Sequence, residues 1–228
     1  GGGTFDIAVI STKDGHMTIL AHQGNNMLGG KDFDRLMVET IIWPHLENHF
    51  KMPNQQENPS FHRKLSQILR VKAEEAKIEL SFSEEAIISI FDIGNDVQGN
   101  SIEADISITR RDLQPLVEPY ILKTIELCKT ALQNAKLTPD EIETILLVGG
   151  PTYMPIVREM LKSQLGIRLD LSIDPMTVVA RGAAIYASTI PLAKSIVLPT
   201  NGNQSSSQVD LNLAYETVWS ETTTLVAG

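Results

Sequence analysis

Glycine clusters interrupt this chain at three points, and each cluster borders a segment with the pattern of a strand or a helix. The clusters are residues 1–3, 29–30 and 149–150. Glycine adopts backbone conformations that other residues avoid, and it lets another group approach the main chain closely. Exposed amides in such turns and at helix N-termini bind anions. Apolar runs and helical periodicity between the clusters predict an α/β protein with phosphate contacts at its turns.

The first cluster leads into FDIAVI, an apolar run that predicts a strand over 4–10 buried on both sides. Thr4 and Asp6 point to the same side of an extended chain. The Thr4 hydroxyl can donate to a phosphate oxygen, and Asp6 adds a carboxylate beside it. Two alternatives stay open at this point. The glycines of 1–3 can be an ordinary terminus, and Asp6 can be a simple strand-edge carboxylate.

The remaining elements follow from periodicity, turn residues and caps. The sequence predicts a turn at 13–15, a strand over 17–22, a helix from about 30 that Pro44 kinks or ends, a helix from Ser60 to about 81, strands over 86–93 and 101–108, a helix over 109–135, a short helix at 139–141, a strand over 144–148, a helix over 155–165 closed by Gly166, and a helix capped by Asp174.

Composition argues against several classes of partner. The net charge is −9 and basic residues do not form runs, so we expect no nucleic-acid partner. We also expect no membrane partner, because no apolar segment approaches the ~18 residues of a span. Cys128 is the single cysteine, which excludes an internal disulfide, and its helical spacing predicts a buried thiol. The expected location is the cytoplasm.

Five segments, in order, resemble the seventy-kilodalton heat-shock chaperones of the DnaK type, within the actin/hexokinase-like ATPase superfamily. They are GGGTFDIAVI, LGGKDFDRLMVE, LRVKAEEAKIELS, ILLVGGPTYMPIVREML and IDPMTVVARGAAIYAS, which together run from Gly1 to about Ser188. The resemblance implies an actin-like, ribonuclease-H-like α/β lobe. Its base would be 1–29 and 109–188, and a smaller α+β lid, 30–108, would be inserted into the base.

The resemblance also implies which residues contact ATP or ADP. Gly2, Gly3 and Thr4 match residues around the β- and γ-phosphates, and Asp6 matches a carboxylate near the attacking water and its cations. The implied nucleotide contacts are Gly1, Gly2, Gly3, Thr4, Gly30, Glu74, Lys77, Ile78, Ser81, Gly149, Gly150 and Tyr153, and the implied catalytic residues are Thr4 and Asp6. Magnesium accompanies the nucleotide in this family, and the resemblance assigns no metal ligand to this chain.

Several residues depart from the family pattern or allow simpler interpretations. Tyr153 stands where the family has an arginine that stacks on adenine, and Ile78 replaces a second stacking arginine. Glu74 and Lys77 share one helix face, which suits ribose and base contacts but also an ordinary i,i+3 ion pair. Two further carboxylates near the second glycine cluster, those of Asp32 and Asp34, are expected to serve the turn and the helix start.

The function implied by the resemblance is that of a fragment of an ATP-dependent protein-folding chaperone. We expect a linker over 189–208 and the first strand of a substrate-binding β domain over 209–228. Unfolded polypeptides, a J-domain protein and a nucleotide exchange factor would be partners of the full-length protein. This chain alone is expected to be inactive as an ATPase. The alternatives are a non-catalytic nucleotide-sensing interaction module of the same fold, and a sugar-kinase or filament-forming relative.

Overall fold

The computed structural model describes residues 2–56 and 58–190. The linker and strand predicted beyond residue 190 lie outside these ranges. The elements are β1 (Phe5–Lys13), β2 (His16–Asn25), α1 (Gly30–Met37), α2 (Trp43–His49), α3 (Pro59–Phe82), β3 (Glu85–Ile90), β4 (Ala104–Thr109), α4 (Arg110–Ala135), β5 (Ile145–Leu146), α5 (Pro155–Leu165), β6 (Leu169–Asp170) and α6 (Val178–Thr189). Short 3₁₀ turns at Pro139–Glu141 and Gly150–Tyr153 precede β5 and α5.

Strands β1 and β2 form an antiparallel hairpin closed by the predicted turn. Its two central residues, Asp14 and Gly15, both have positive φ, 52° and 76°, as the favoured two-residue hairpin turn requires. Val9 is buried, Phe5 and Ile7 are half-buried, and the residues between them are exposed. The prediction of a strand buried on both sides was therefore wrong, because only one face of the hairpin packs on the core.

The helix that begins at Gly30 continues past the position where Pro44 was predicted to kink or end it. A π-helical segment, Val38–Ile42, joins α1 to α2, and Pro44 lies in the first turn of α2. Proline lacks an N–H and crowds the carbonyl four residues earlier. The wider π turn shifts the hydrogen bonds to i→i+5 spacing, which accommodates the ring. The chain therefore stays helical as far as His49.

Within the described residues the strands pair as three separate two-stranded ladders. β1–β2 and β3–β4 are antiparallel, and β5–β6 is parallel. The sequence predicted a five-residue strand over 144–148, whereas only Ile145–Leu146 is paired. The partner strand limits its length, since β6 ends at Asp170, whose carboxylate accepts the N–H of Ser172 and begins a turn.

Helices α3 and α4 contribute more buried apolar residues to the core than any other pair of described elements. The predicted buried side of α4 is confirmed at Leu113, Val117, Ile121, Ile125, Cys128 and Leu132. Asn58 caps α3, where its side chain accepts the N–H of Phe61. Burial raises the pKa of the Cys128 thiol to about 11, so this group stays protonated at neutral pH. None of the described helices combines the length and the apolar character that a membrane crossing requires.

The buried side of α4 gives a direct test of this packing. Ile125 is fully buried, whereas Leu122 on the same helix is 41% exposed. We expect Ile125→Ala to lower the free energy of unfolding by about 2–5 kcal/mol, because it leaves a cavity in a packed core. The control Leu122→Ala removes a side chain of the same size and is expected to cost less than about 1 kcal/mol. Urea unfolding compares the two, and equal losses would contradict the assigned packing.

Candidate functional site

The first two glycine turns meet backbone to backbone. The N–H of Lys31 donates to the carbonyl of Gly2 at 2.9 Å. A Cβ placed on Gly29 would lie only 2.7 Å from the Cα of Gly3, a distance that no real side chain tolerates. Asp32 holds this turn at the start of α1, because its carboxylate accepts the N–H of Gly29 at 2.9 Å. The contact between the two turns therefore depends on the absence of a side chain at position 29.

The third glycine turn lies next to the second one. A Cβ on Gly30 would lie 3.0 Å from Cγ of Pro151, the residue that follows the third cluster, and 3.2 Å from Nζ of Lys77. Gly149 has a φ of 91°, which favours glycine, and its N–H donates to the carbonyl of Pro175 at 2.9 Å. The three clusters, far apart in sequence, thus line one common site.

A buried ion pair lies directly beneath this site. Lys77 Nζ is 2.6 Å from Asp34 Oδ1 and donates a hydrogen bond of 3.1 Å to the carbonyl of Gly30. The residues Lys77 and Asp34 are 6% and 4% exposed. The Asp34 oxygen is at ion-pair distance, but no donor approaches it at a hydrogen-bond angle. Burial raises the pKa of the Asp34 carboxyl, and the ammonium of Lys77 opposes that rise.

The α3 residues that were predicted to contact the nucleotide have different surroundings. They are Glu74, Lys77, Ile78 and Ser81. Glu74 is exposed and makes no ion pair with Lys77, so the i,i+3 interpretation was wrong. Ser81 is half-buried, and its hydroxyl donates to the carbonyl of Lys77 at 3.2 Å. Ile78 is 53% exposed. Only Lys77 among these side chains turns inward, toward the glycine turns.

Tyr153 is held from three sides. Its ring centroid lies 5.6 Å from that of Phe82, and the guanidinium of Arg158 lies 5.5 Å from the ring centre. Its hydroxyl donates to the carboxylate of Asp174. This hydrogen bond raises the pKa of Tyr153 and lowers that of Asp174, which also accepts the N–H of Met176. An open groove of about 400 Å³ lies between these residues and the 170–175 loop.

The two predicted catalytic residues lie at the solvent side of the site. Thr4 and Asp6 are both exposed, and Gly1 lies outside the described residues. A Cβ on Gly24, in the neighbouring strand, would lie 2.8 Å from Asp6 Oδ1, so this carboxylate lies against the backbone of β2. Across the ranges 2–56 and 58–190, no three His, Cys, Asp or Glu side chains are grouped closely enough to hold a metal ion.

Sequence reasoning missed two features of this region. It gave Asp34 a role in the helix start, and nothing in the sequence indicated that Asp34 pairs with a lysine 43 positions later. It also left out Phe82, although Ile78 and Phe82 are apolar, one helical turn apart, and both exposed. The available signal in the sequence was the i,i+4 spacing, which puts Phe82 on the same face of α3 as the predicted contact Ile78.

The architecture so far is that of a mixed α/β protein whose glycine turns converge on one site. The model of the Hsp70 protein family matches residues 1–198, which is most of the chain. The chain belongs to the Hsp70 family. Membership implies the actin-like ATPase fold and indicates a chaperone function. Members of this family generally bind ATP or ADP with Mg²⁺.

The ion pair under the glycine turns gives a stability prediction. Lys77→Met leaves Asp34 buried without a counter-charge, and we expect a loss of about 3–5 kcal/mol in the free energy of unfolding. The double variant Asp34→Leu/Lys77→Met removes both charges and is expected to be more stable than Lys77→Met alone. Urea titration of the two variants and the parent measures the difference. A double variant at least as unstable as the single one would contradict the buried pairing.

The raised pKa of Asp34 gives a pH prediction. Between the ordinary value of 3.8 and its higher value in the folded protein, the native state binds more protons than the unfolded state. Stability contributed by this group is therefore full below pH 3.8 and is lost as pH rises through that window. Relative to Asp34→Asn, the parent should lose free energy of unfolding as pH rises above 3.8. A parent that gains stability there would show that the pKa is lowered instead.

Proposed function

We propose that the three glycine turns are the phosphate site of an ATP- or ADP-binding cleft in an ATP-dependent protein-folding chaperone. The convergence of the turns carries this proposal. Gly3 and Gly29 touch through their backbones, and Gly30 touches Pro151 of the third turn. Side-chain-free amides at the start of a helix are well suited to phosphate oxygens. Glycine at position 29 lets the main chains of the first two turns lie against each other, and no side chain covers the amides that a phosphate group would need.

Each residue would contribute through its own chemistry. The amides of Gly2 and Gly3 and the hydroxyl of Thr4 would donate hydrogen bonds to phosphate oxygens. Asp6 would orient a water molecule by accepting a hydrogen bond from it. Bound nucleotide with Mg²⁺ supplies the phosphoanhydride bond and charge neutralisation. Lys77 would keep Gly30 in place rather than contact the phosphates, because its ammonium is already paired with the Asp34 carboxylate and hydrogen-bonded to the Gly30 carbonyl.

Contacts to the nucleoside would lie between α3 and the third glycine turn. Glu74 and Ser81 would face this space from the helix, and Gly150 and Tyr153 would face it from the turn. The ring of Tyr153 would offer a flat surface to the base, although Phe82 and Arg158 already contact it. A base would stack here on an aromatic ring, which tolerates any base. Ile78 would add an apolar contact.

A second candidate function follows from that aromatic packing. The Phe82 and Tyr153 rings are 5.6 Å apart, too close for a base to insert between them. A base would then reach only an outer face of this aromatic pair, so the nucleoside contacts would differ from the family pattern. The protein would then be a nucleotide-sensing interaction module of the Hsp70 fold. ATP that binds without release of phosphate from the complete protein would favour this candidate.

The proposed function extends to architecture and partners. Residues 30–108 would form a lid inserted into a base of 1–29 and 109–188. Nucleotide in the cleft would control the binding of unfolded polypeptides, with a J-domain protein and a nucleotide exchange factor as co-chaperones. The proposed location is the cytoplasm. This chain alone is expected to bind nucleotide weakly and to be inactive in hydrolysis.

A titration of the 228-residue chain with ADP and Mg²⁺ tests the proposal. We expect amide NMR shifts to concentrate at Gly3, Thr4, Gly30 and Gly150. Gly29→Ala should reduce the affinity about tenfold or more, because its Cβ forces the first two turns apart. Ser11→Ala, at an exposed position further along β1, is the matched control and should bind as the parent does.

The outcome separates the possibilities. Shifts that cluster at the glycine turns and disappear in the Gly29→Ala variant support the phosphate site. Shifts spread over the surface at millimolar ADP, or an unchanged affinity in a folded Gly29→Ala variant, would exclude it.

A further inference from the structure

Strand β4 has a free edge that faces a groove. In its ladder with β3, the N–H of Arg110 donates to the carbonyl of Glu84 at 3.0 Å. Hydrogen-bonded and non-hydrogen-bonded pairs alternate along an antiparallel ladder. The register Ile87↔Ser107 and Ser89↔Asp105 therefore belongs to the non-bonded set, and Asp105 and Ser107 turn their amides and carbonyls away from β3.

The N-terminal cap of α4 agrees with this alternation of inward- and outward-facing main-chain groups along β4. Thr109 is two residues beyond Ser107, so its N–H must also point outward, and it donates to the carboxylate of Asp112 at 2.8 Å. Among the described residues, no backbone hydrogen bond outside the ladder involves Asp105 or Ser107. Two residues of the edge thus keep both of their main-chain groups for another partner.

The groove beside this edge has a volume of about 420 Å³. One wall is β4, through Ile106, Ser107 and Ile108, and the other is the helical stretch from Thr40 to Asn48. A cleft between a strand edge and a helix is the geometry in which an extended peptide adds a strand to a sheet. None of the lining residues is a candidate nucleotide contact.

The carboxylates near β4 indicate that a basic peptide fits this edge better than an acidic one. Three carboxylates lie on or beside β4: Asp105, which accepts the hydroxyl of Ser89, Glu85 on β3, which accepts the hydroxyl of Ser107, and Asp112 at the start of α4. No salt bridge in the described part of the chain involves any of them. An extended segment with basic residues would supply the missing positive charge, whereas an acidic segment would be repelled.

We propose that the β4 edge and the groove beside it bind an extended, basic polypeptide segment by β-strand addition. The main chain of the segment pairs with Asp105 and Ser107. Its alternate side chains enter the groove against Ile41 and Pro44. Lysine or arginine side chains at its ends lie near Asp105 and Asp112.

The test uses the 228-residue chain and a fluorescent peptide, acetyl-Lys-Val-Thr-Val-Thr-Val-Lys-amide, in an anisotropy titration. Two isomers carry N-methyl groups on alternate backbone nitrogens, either those of the threonines or those of the valines. A paired strand uses only one of its two edges, so one isomer should bind at least tenfold more weakly and the other within about twofold of the parent peptide. A peptide with glutamate in place of both lysines should bind more weakly than the parent.

Two protein variants alter the two walls of the groove, one on β4 and one on the helix. Ser107→Pro removes an N–H that faces away from β3, which a strand edge tolerates, and should weaken binding at least tenfold. Asn48→Trp fills the groove from the helix side and should do the same without touching the sheet. Gln67→Trp, an exposed position on α3 outside the groove, is the matched control and should leave binding unchanged.

Equal binding of both N-methyl isomers, or full binding by both groove variants, would overturn the proposal. So would the absence of measurable binding of the parent peptide at millimolar concentration. A dimer of the chain that dissociates in Ser107→Pro, together with no peptide binding, would assign the edge to a second copy of the chain and overturn it as well.

Discussion

The contact of Lys77 with Asp34 and Gly30 is the interaction on which the candidate site depends. It joins the middle of α3 to the first turn of α1, where the second glycine turn lies. Two charges at this depth are costly to bury, and they are compensated only by each other and by one carbonyl. The arrangement is therefore specific, because any shift of α1 against α3 would separate the charges or leave the lysine without its carbonyl.

The glycine turns follow from that anchor. Once the Gly30 carbonyl is held, Gly29 lies against Gly3, and Lys31 bonds back to Gly2. Glycine is required at position 29 by contact with backbone, and at position 149 by a positive φ. The same three clusters that suggest phosphate binding from the sequence are thus the points where the backbone is most closely packed. Close backbone packing and anion binding both require glycine at these turns, because a side chain would interfere with either.

Local signals in the sequence predicted most of the fold. The turn at Asp14–Gly15, the helix start at Thr109, the buried face of α4 and the helix end at Gly166 all depend on neighbours within a few residues, and the structure has each of them. Pairing between distant segments could not be predicted in this way. The length of β5 depends on β6, and the ion pair of Lys77 with Asp34 depends on how α3 crosses α1.

The site shows the same division. The glycine clusters were found from their composition, but a pattern on one helix could not tell that Lys77 turns inward while Glu74 stays in solvent. The aromatic contact of Phe82 with Tyr153 joins elements 71 residues apart, and only tertiary structure brings them together. Family membership supports the chaperone assignment, and the geometry adds which of the chain's own residues hold the turns in place.

The most direct test of this account is a nuclear Overhauser measurement on the isotope-labelled chain. The central claim is that the first two glycine turns touch through their backbones above the Lys77 ion pair. The account predicts strong cross-peaks between the α-protons of Gly3 and Gly29, and between the ε-protons of Lys77 and the α-protons of Gly30. If the folded chain lacks both sets of cross-peaks, the glycine turns do not converge, and the phosphate site proposed for them does not exist.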